Sequence, residues 1–347
     1  MDSQQLCSLY LLFCCFFFCF SFANSTTFNF SSFSSSDEGN ISRDGEATII
    51  TVFNHPSLRL TDTQVGGEVF NGTGRAYYYQ PIQLWSPITN LTTDFTTSFD
   101  FTITFPLGWS NSSSAGGFAF FLASENSKPI PDNSSAGWLG LFNETNDGQS
   151  SNQMVAVEFD VYQDQWDSSD NHVGIDENSI VSKANLTWSN TMVSGDIYRA
   201  RVSYNGTSKD LNVFLKDPQV PVDEGSLNLT HNVDLQKLLP ERVIIGFSAS
   251  TGRMVSANVI RSWNFTSTLD LIVPNKGGGD KMCIWVDEGT VLFYPRVMSY
   301  SYIAKDDHDV RMILVVTDDV VHGSRAARAM VIFRSDHIAL VVLSMTR

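Results

Sequence analysis

From about residue 24 to residue 268 the chain alternates short apolar-polar runs with clusters of Gly, Asn, Ser and Asp. Phe99, Phe101, Ile103 and Phe105 occupy every second position, as do Tyr198, Ala200, Val202 and Tyr204, and Leu211, Val213 and Leu215. Successive strand side chains point to opposite faces, so each run predicts a strand with one buried face. Residues 118–122 and 243–247 are apolar at almost every position and predict central strands covered on both sides. No long amphipathic helical period interrupts the series. The pattern predicts an all-β fold in which two antiparallel sheets pack as a jelly-roll sandwich.

The pattern changes at both ends. Residues 9–20 are apolar throughout and precede Ser21-Phe22-Ala23. That reads as a signal peptide over 1–23, cleaved after Ala23, although the opening MDSQQ lacks the usual positive charge. Residues 24–268 form the β domain, and 269–280, with Pro274 and Gly277 to Gly279, read as a linker. The glycine triplet is followed by no GxxxxGK[ST] and so by no phosphate loop. Residues 281–347 form a tail whose apolar runs are too short to cross a bilayer and to which no function is assigned. No transmembrane segment is expected in the mature chain.

The 347 residues carry a formal net charge of −15. Nucleic-acid partners require clustered Lys and Arg and are excluded on that ground. Four of the five cysteines precede residue 24, leaving Cys283 alone. An intramolecular disulfide is therefore not expected, and a secreted domain must rest on its core, on metals, or on both. Glycosylation sequons begin at Asn24, Asn29, Asn40, Asn71, Asn90, Asn111, Asn133, Asn143, Asn185, Asn205, Asn228 and Asn264. They favour an extracellular domain with much exposed surface.

Charge points to chemistry in one segment. Between residues 129 and 182 there are ten acidic residues and no Lys or Arg. Within it, 155–176 read VAVEFDVYQDQWDSSDNHVGID. Glu158 and Asp160 are two apart and share one face of a strand. The chain then loops through Asp164 and Asp167 to His172. An acidic loop is most often a solvated turn, but carboxylates beside bulky apolar residues need a partner. Gathered oxygens suit a hard cation such as Ca²⁺, and an added imidazole suits Mn²⁺ or another transition metal. Counted from Asp160, the sixth and twelfth positions are Gln165 and Asn171, which excludes an EF-hand. A glycosidase run Glu-x-Asp-x-Glu fails at Tyr162, so no enzymatic role is expected.

The VAVEFD and HVGID segments resemble the metal loop of the legume (L-type) lectins. Residues 74–85 (GRAYYYQPIQLW), 118–122, 137–143 (GWLGLFN), 246–252 (GFSASTG) and Ser262-Trp263 are similar to further family segments, in order. The likeness covers most of 24–268 and extends to the ectodomains of plant lectin-receptor kinases. No VAIK-, HRD- or DFG-like set follows residue 269.

The resemblance implies adjacent Ca²⁺ and Mn²⁺ ions that shape a shallow sugar site. It makes Glu158, Asp160, Asp167 and His172 the transition-metal ligands. It makes Asp160, the Tyr162 carbonyl, Asp164 and Asp167 the Ca²⁺ ligands, with Ser182 beside a metal-bound water. Gly137 corresponds to a backbone N–H donor to sugar, Tyr162 to the aromatic platform, and Arg253 and Met254 to the specificity loop. Trp166 lies in the metal loop beside that site, whereas Trp85, Trp138 and Trp263 read as core. His55, His231, His308, His322 and His337 have no ligand-like neighbours in the chain and read as surface or turn residues.

Two positions depart from the family. Its Ala-Asp-Gly stretch is Ala115-Gly116-Gly117, so Gly116 lacks the sugar-binding carboxylate. Asp164 stands where an Asn is usual and cannot donate as an amide can. The first expectation is a secreted, extracellular lectin (plant apoplast or cell surface) that binds glycans or glycoproteins. The alternative is a lectin-like scaffold with altered sugar binding that takes a protein or apolar ligand. A homodimer is compatible with the family, although the sequons stand in its way.

Overall fold

The computed structural model describes residues 25–52, 54–62, 71–87, 90–105, 116–189, 192–217, 226–252 and 255–268. It also describes the backbone of 299–304, 310–317, 328–334 and 337–341. The signal-peptide and linker expectations, Arg253 and Met254 lie outside the described residues.

Two antiparallel sheets carry the first unit. One sheet runs in the order β14 (Ser226–Asn232), β13 (Asp210–Lys216), β12 (Tyr198–Asn205), β7 (Asp94–Thr104), β16 (Ala257–Thr268), β4 (His55–Arg59) and β3 (Thr48–Val52). β1 (Thr27–Phe30) also pairs with β16. The other runs β11 (Ala184–Thr187), β10 (His172–Glu177), β9 (Met154–Asp160), β8 (Gly117–Ala123), β15 (Arg242–Ser250), β5 (Thr73–Tyr78) and β2 (Ile41–Gly45), with β6 (Ile82–Gln83) on β15. Among the described residues, helix is limited to short segments such as Ser35–Asn40 and Leu235–Leu238. This is the all-β, two-sheet architecture that the alternation predicts.

The core between the sheets is aromatic. Phe99 and Phe101 of β7 alternate with half-buried polar neighbours and meet Phe118, Phe159 and Phe247 of the facing sheet. The Phe118 and Phe159 rings stack with centroids 4.9 Å apart, and Phe247 meets Trp263 edge-on at 4.9 Å. Such pairs add about 0.5–1.5 kcal/mol each beyond the area they bury.

β8, β9 and β15 are buried on both faces for a physical reason visible in their register. Phe118, Phe120 and Leu122 face the other sheet, while Ala119, Phe121 and Ala123 face a second apolar cluster. Leu139, Leu141, Phe142 and Ile180 cap that cluster from the overlying loops.

Arg75 ties down part of the cover. Its guanidinium is fully buried on β5, stands over the Phe121 ring at 5.1 Å, and donates to the carbonyls of Ser127, Lys128, Pro129 and Gly140. Burial lowers its pKa to about 10, which still leaves it charged at neutral pH.

The second unit, Asp270–Arg347, contains a four-stranded antiparallel meander: β17 (Ser299–Ala304), β18 (Val310–Thr317), β19 (Arg328–Arg334) and β20 (His337–Val341). Among the described residues no helix is long and apolar enough to cross a membrane.

Candidate functional site

The site grows from the register of β9 on its neighbours. Glu158 pairs with Gly174 and Asp160 with His172 across β9 and β10, while Gly117 of β8 opposes Asp160 from the other side. With a side-chain period of two, Glu158, Asp160, His172 and Asp176 emerge on one face. It is the outward face that carries Met154 and Ala156 under the second apolar cluster. The face therefore turns from apolar to acidic along the strand.

Two groups of ligand atoms form there, each within 4.8 Å: Glu158, Asp160 and His172, and Asp160, Asp164 and Asp167. Asp160 belongs to both. His172 Nδ1 donates to the Ser169 carbonyl at 3.0 Å, which leaves Nε2 facing Glu158 Oε1 at 3.2 Å and Asp167 Oδ1 at 3.8 Å. Fixing one ring nitrogen on a carbonyl orients the other toward a ligand. The loop after β9 closes on itself. The Tyr162 N–H donates to Asp160 Oδ1 at 2.8 Å, and the Asp164 N–H donates to Asp167 Oδ2 at 2.7 Å.

The electrostatics favour a cation. Burial, then Glu158, hold the Asp160 carboxyl well above the usual range, and the same causes act on Asp176. Burial pushes Asp167 up to about 6 and raises Asp164. Burial opposes the His172 cation, but the bond to Glu158 and the surrounding carboxylates outweigh it and raise its pKa to about 9. Buried oxygens of Glu158, Asp164 and Asp176 have no hydrogen-bond partner. A buried unpaired carboxylate oxygen is expensive, and a divalent cation is the partner that fits so many of them together.

Sequence reasoning missed three residues here. Asp176 is fully buried, and the Ser182 hydroxyl lies between its Oδ1, at 2.9 Å, and Glu158. Gly174 provides the room: a Cβ there would sit 2.0 Å from Ser182 Oγ and 2.3 Å from Glu158 Oε1. Trp138, read as plain core, pairs with Trp166 at 5.1 Å between centroids. The alternate spacing of His172, Gly174 and Asp176 along β10 puts these three on one face and is the signal that could have found the first two, although only the pairing with β9 joins them to Glu158. Outside this cluster, His231 Nε2 lies 2.8 Å from Glu177 Oε1.

The residues expected at a sugar site are placed as follows. Tyr162 is 46% exposed. Gly137 lies in the turn Ala136–Trp138, and a Cβ on it would fall 1.8 Å from Asp164 Oδ2. Gly116 is buried at φ +52°, where a Cβ would approach the Ser250 carbonyl to 2.7 Å, and its own carbonyl accepts from the Val161 N–H at 3.2 Å.

A sandwich of two antiparallel sheets with such a cluster at the loop end of one sheet defines a β-sandwich protein with a candidate metal centre. The legume lectin domain model matches residues 25–276, and the chain belongs to that family. It is 38% identical over 250 residues to Agglutinin-2 of Cladrastis kentukea, covering 71% of this chain and 82% of that one. It is 39% identical over 212 residues to the L-type lectin-domain containing receptor kinase IX.1 of Arabidopsis thaliana, covering 60% of this chain and 32% of the kinase. Among solved structures, lectin II from Ulex europaeus aligns with TM-score 0.62 at 37% identity over 70% of this chain and 99% of that one. The metal-free form of lectin I-B4 from Griffonia simplicifolia aligns with TM-score 0.62 at 37% identity, over 70% of this chain and 100% of that one. Agglutinins and seed lectins are non-enzymatic binding proteins, in line with the expectation that this chain is not an enzyme.

Proposed function

We propose that this chain is a secreted glycan-binding lectin whose binding loops are organised by Ca²⁺ and by Mn²⁺ or another transition metal. The observation that carries the reading is the pair of ligand groups joined at Asp160. Its buried oxygens without partners call for cations. Glu158, Asp160, Asp167 and His172 would hold the transition ion. Asp160, Asp164, Asp167 and the Tyr162 carbonyl would hold Ca²⁺. The ions supply fixed positive charge that cancels carboxylate repulsion and locks the 160–167 loop.

The binding surface is made by this chain's own residues. The exposed Tyr162 ring offers an apolar face to a sugar ring. Asp164 packs on Gly137, so the metal loop and the 136–142 loop hold each other. A solved relative, lectin UEA-II, is described in complex with galactose, at 38% identity and TM-score 0.62 over 70% of this chain and 99% of that one.

The second reading, a scaffold with altered sugar binding, is favoured by Gly116. It offers no carboxylate, and the Ser250 carbonyl 2.7 Å from its Cβ position leaves no room to restore one without a backbone shift. Losing a charge-assisted hydrogen bond costs about 1.5–3 kcal/mol, roughly a tenfold to hundredfold loss of affinity.

A glycan array probed with the purified full chain in Ca²⁺ and Mn²⁺ separates the readings. Chelator-sensitive binding to a defined glycan supports the lectin. A folded, metal-loaded chain that retains no glycan supports the scaffold.

A further inference from the structure

Four sequon asparagines lie on one surface. Asn29 of β1, Asn205 at the end of β12, Asn228 of β14 and Asn264 of β16 are all exposed on the same sheet. Their neighbours in each strand point inward: Phe28 and Phe30, Tyr204, Leu227 and Leu229, and Trp263 and Phe265 are buried in the core between the sheets. A period of two therefore sends all four asparagines to the outer face. Asn29 and Asn264 are direct cross-strand partners. β14 is separated from β16 by β13, β12 and β7, so these acceptors stand about 19 Å apart across the sheet at ~4.8 Å per strand.

The face between them is built for water. Thr96, Ser98 and Asp100 of β7 lie beside Arg199 and Arg201 of β12. Arg199 pairs with Asp100 through Nε at 2.6 Å and Nη2 at 2.8 Å, and Arg201 covers the Phe214 ring at 5.7 Å. Elsewhere a sequon can be committed within the fold: Asn143 donates its amide to the Asp132 carbonyl at 2.9 Å.

We infer that the outer face of this sheet is a glycan-bearing face, modified at Asn29, Asn228 and Asn264, and that it stays closed to pairing with a second copy of the chain. The inference rests on the secreted reading above. In each modification Asn Nδ2 displaces the diphosphate from C1 of the first sugar of a polyprenyl-diphosphate oligosaccharide. The C1–N bond forms, the C1–O bond breaks, one amide proton leaves, and nothing is oxidised or reduced. A standard interface buries about 800 Å² on each partner. A patch of that size placed between the two lines of acceptors would have to bury attached sugars.

The test expresses the full chain with its own first 23 residues in a plant secretory host. Site occupancy is read by peptide mass spectrometry after enzymatic deglycosylation in ¹⁸O water, and mass by sedimentation. The expected result is occupancy at Asn29, Asn228 and Asn264 and a single copy plus glycans. Occupied sequons elsewhere with these three empty would overturn the inference and leave secretion standing. A chain retained in the cytosol with every sequon empty would overturn both. A glycosylated dimer that protects Phe214 from hydroxyl-radical labelling would overturn the closed face. Restored dimerisation in an N29Q/N228Q/N264Q variant would support it.

Discussion

A Cβ placed on Gly137 would lie 1.8 Å from Oδ2 of Asp164. The turn that carries Gly137 and the loop that carries Asp164 are thus in direct contact, and any side chain at 137 must push the carboxylate away. Gly137→Ala is expected to weaken Ca²⁺ binding about tenfold, the order seen when support around a metal ligand is lost. Calorimetric titration with Ca²⁺ checks this, and unchanged affinity would break the proposed link between the two loops.

Asp160 belongs to both ligand groups, whereas His172 belongs to one and Asp164 to the other. Asp160→Asn should therefore lose both ions. His172→Ala should lose the transition metal and retain Ca²⁺, and Asp164→Ala should do the reverse. Elemental analysis of dialysed variants reads all three directly.

The pH response follows from the shifted groups. Asp160 and Asp176 titrate above their usual range, Asp167 at about 6 and His172 at about 9. In the ion-free protein the folded state then binds more protons than the unfolded state, so stability falls as pH rises. The His172 contribution is full below 6.5 and is lost as pH rises through about 9. Bound cations require ionised carboxylates and neutral imidazole, so they work in the opposite sense. The melting temperature lost on adding chelator should be large at pH 7.5 and much smaller at pH 5.5. Metal binding at pH 7 should also release protons, visible as an enthalpy that depends on the buffer.

Arg75 satisfies four carbonyls in the cover of the second apolar cluster. Arg75→Met keeps the bulk and strands these acceptors, at a cost of about 1–3 kcal/mol for each left dry. With two affected, melting should drop by roughly 10 °C for a domain of this size.

The Tyr162 ring is exposed on the proposed metal loop, so Tyr162→Ala should leave metal content unchanged. Glycan affinity should fall about threefold to tenfold, the range for one lost aromatic contact. Loss of metal instead would show that the ring supports the loop.

The strands, the two sheets and the acidic loop were legible along the chain because alternation and charge are local properties. Phe99 and Phe101 announce a buried face, and Glu158 and Asp160 announce a shared one, before any contact is known. Asp176 and Gly174 were not legible in the same way. Their importance comes from β10 lying antiparallel on β9, with Gly174 opposite Glu158. Strand pairing depends on the collapse of the whole sandwich and is written in no short segment. The same holds for Arg75, which reads as an ordinary cation until the fold buries it under four carbonyls. It holds again for Asn29 and Asn264, 235 residues apart in the chain, which only the pairing of β1 with β16 makes neighbours. Residue pattern alone specified which side chains point inward and where carboxylates gather. The tertiary structure decided which of them meet, because burial and register are set by distant partners.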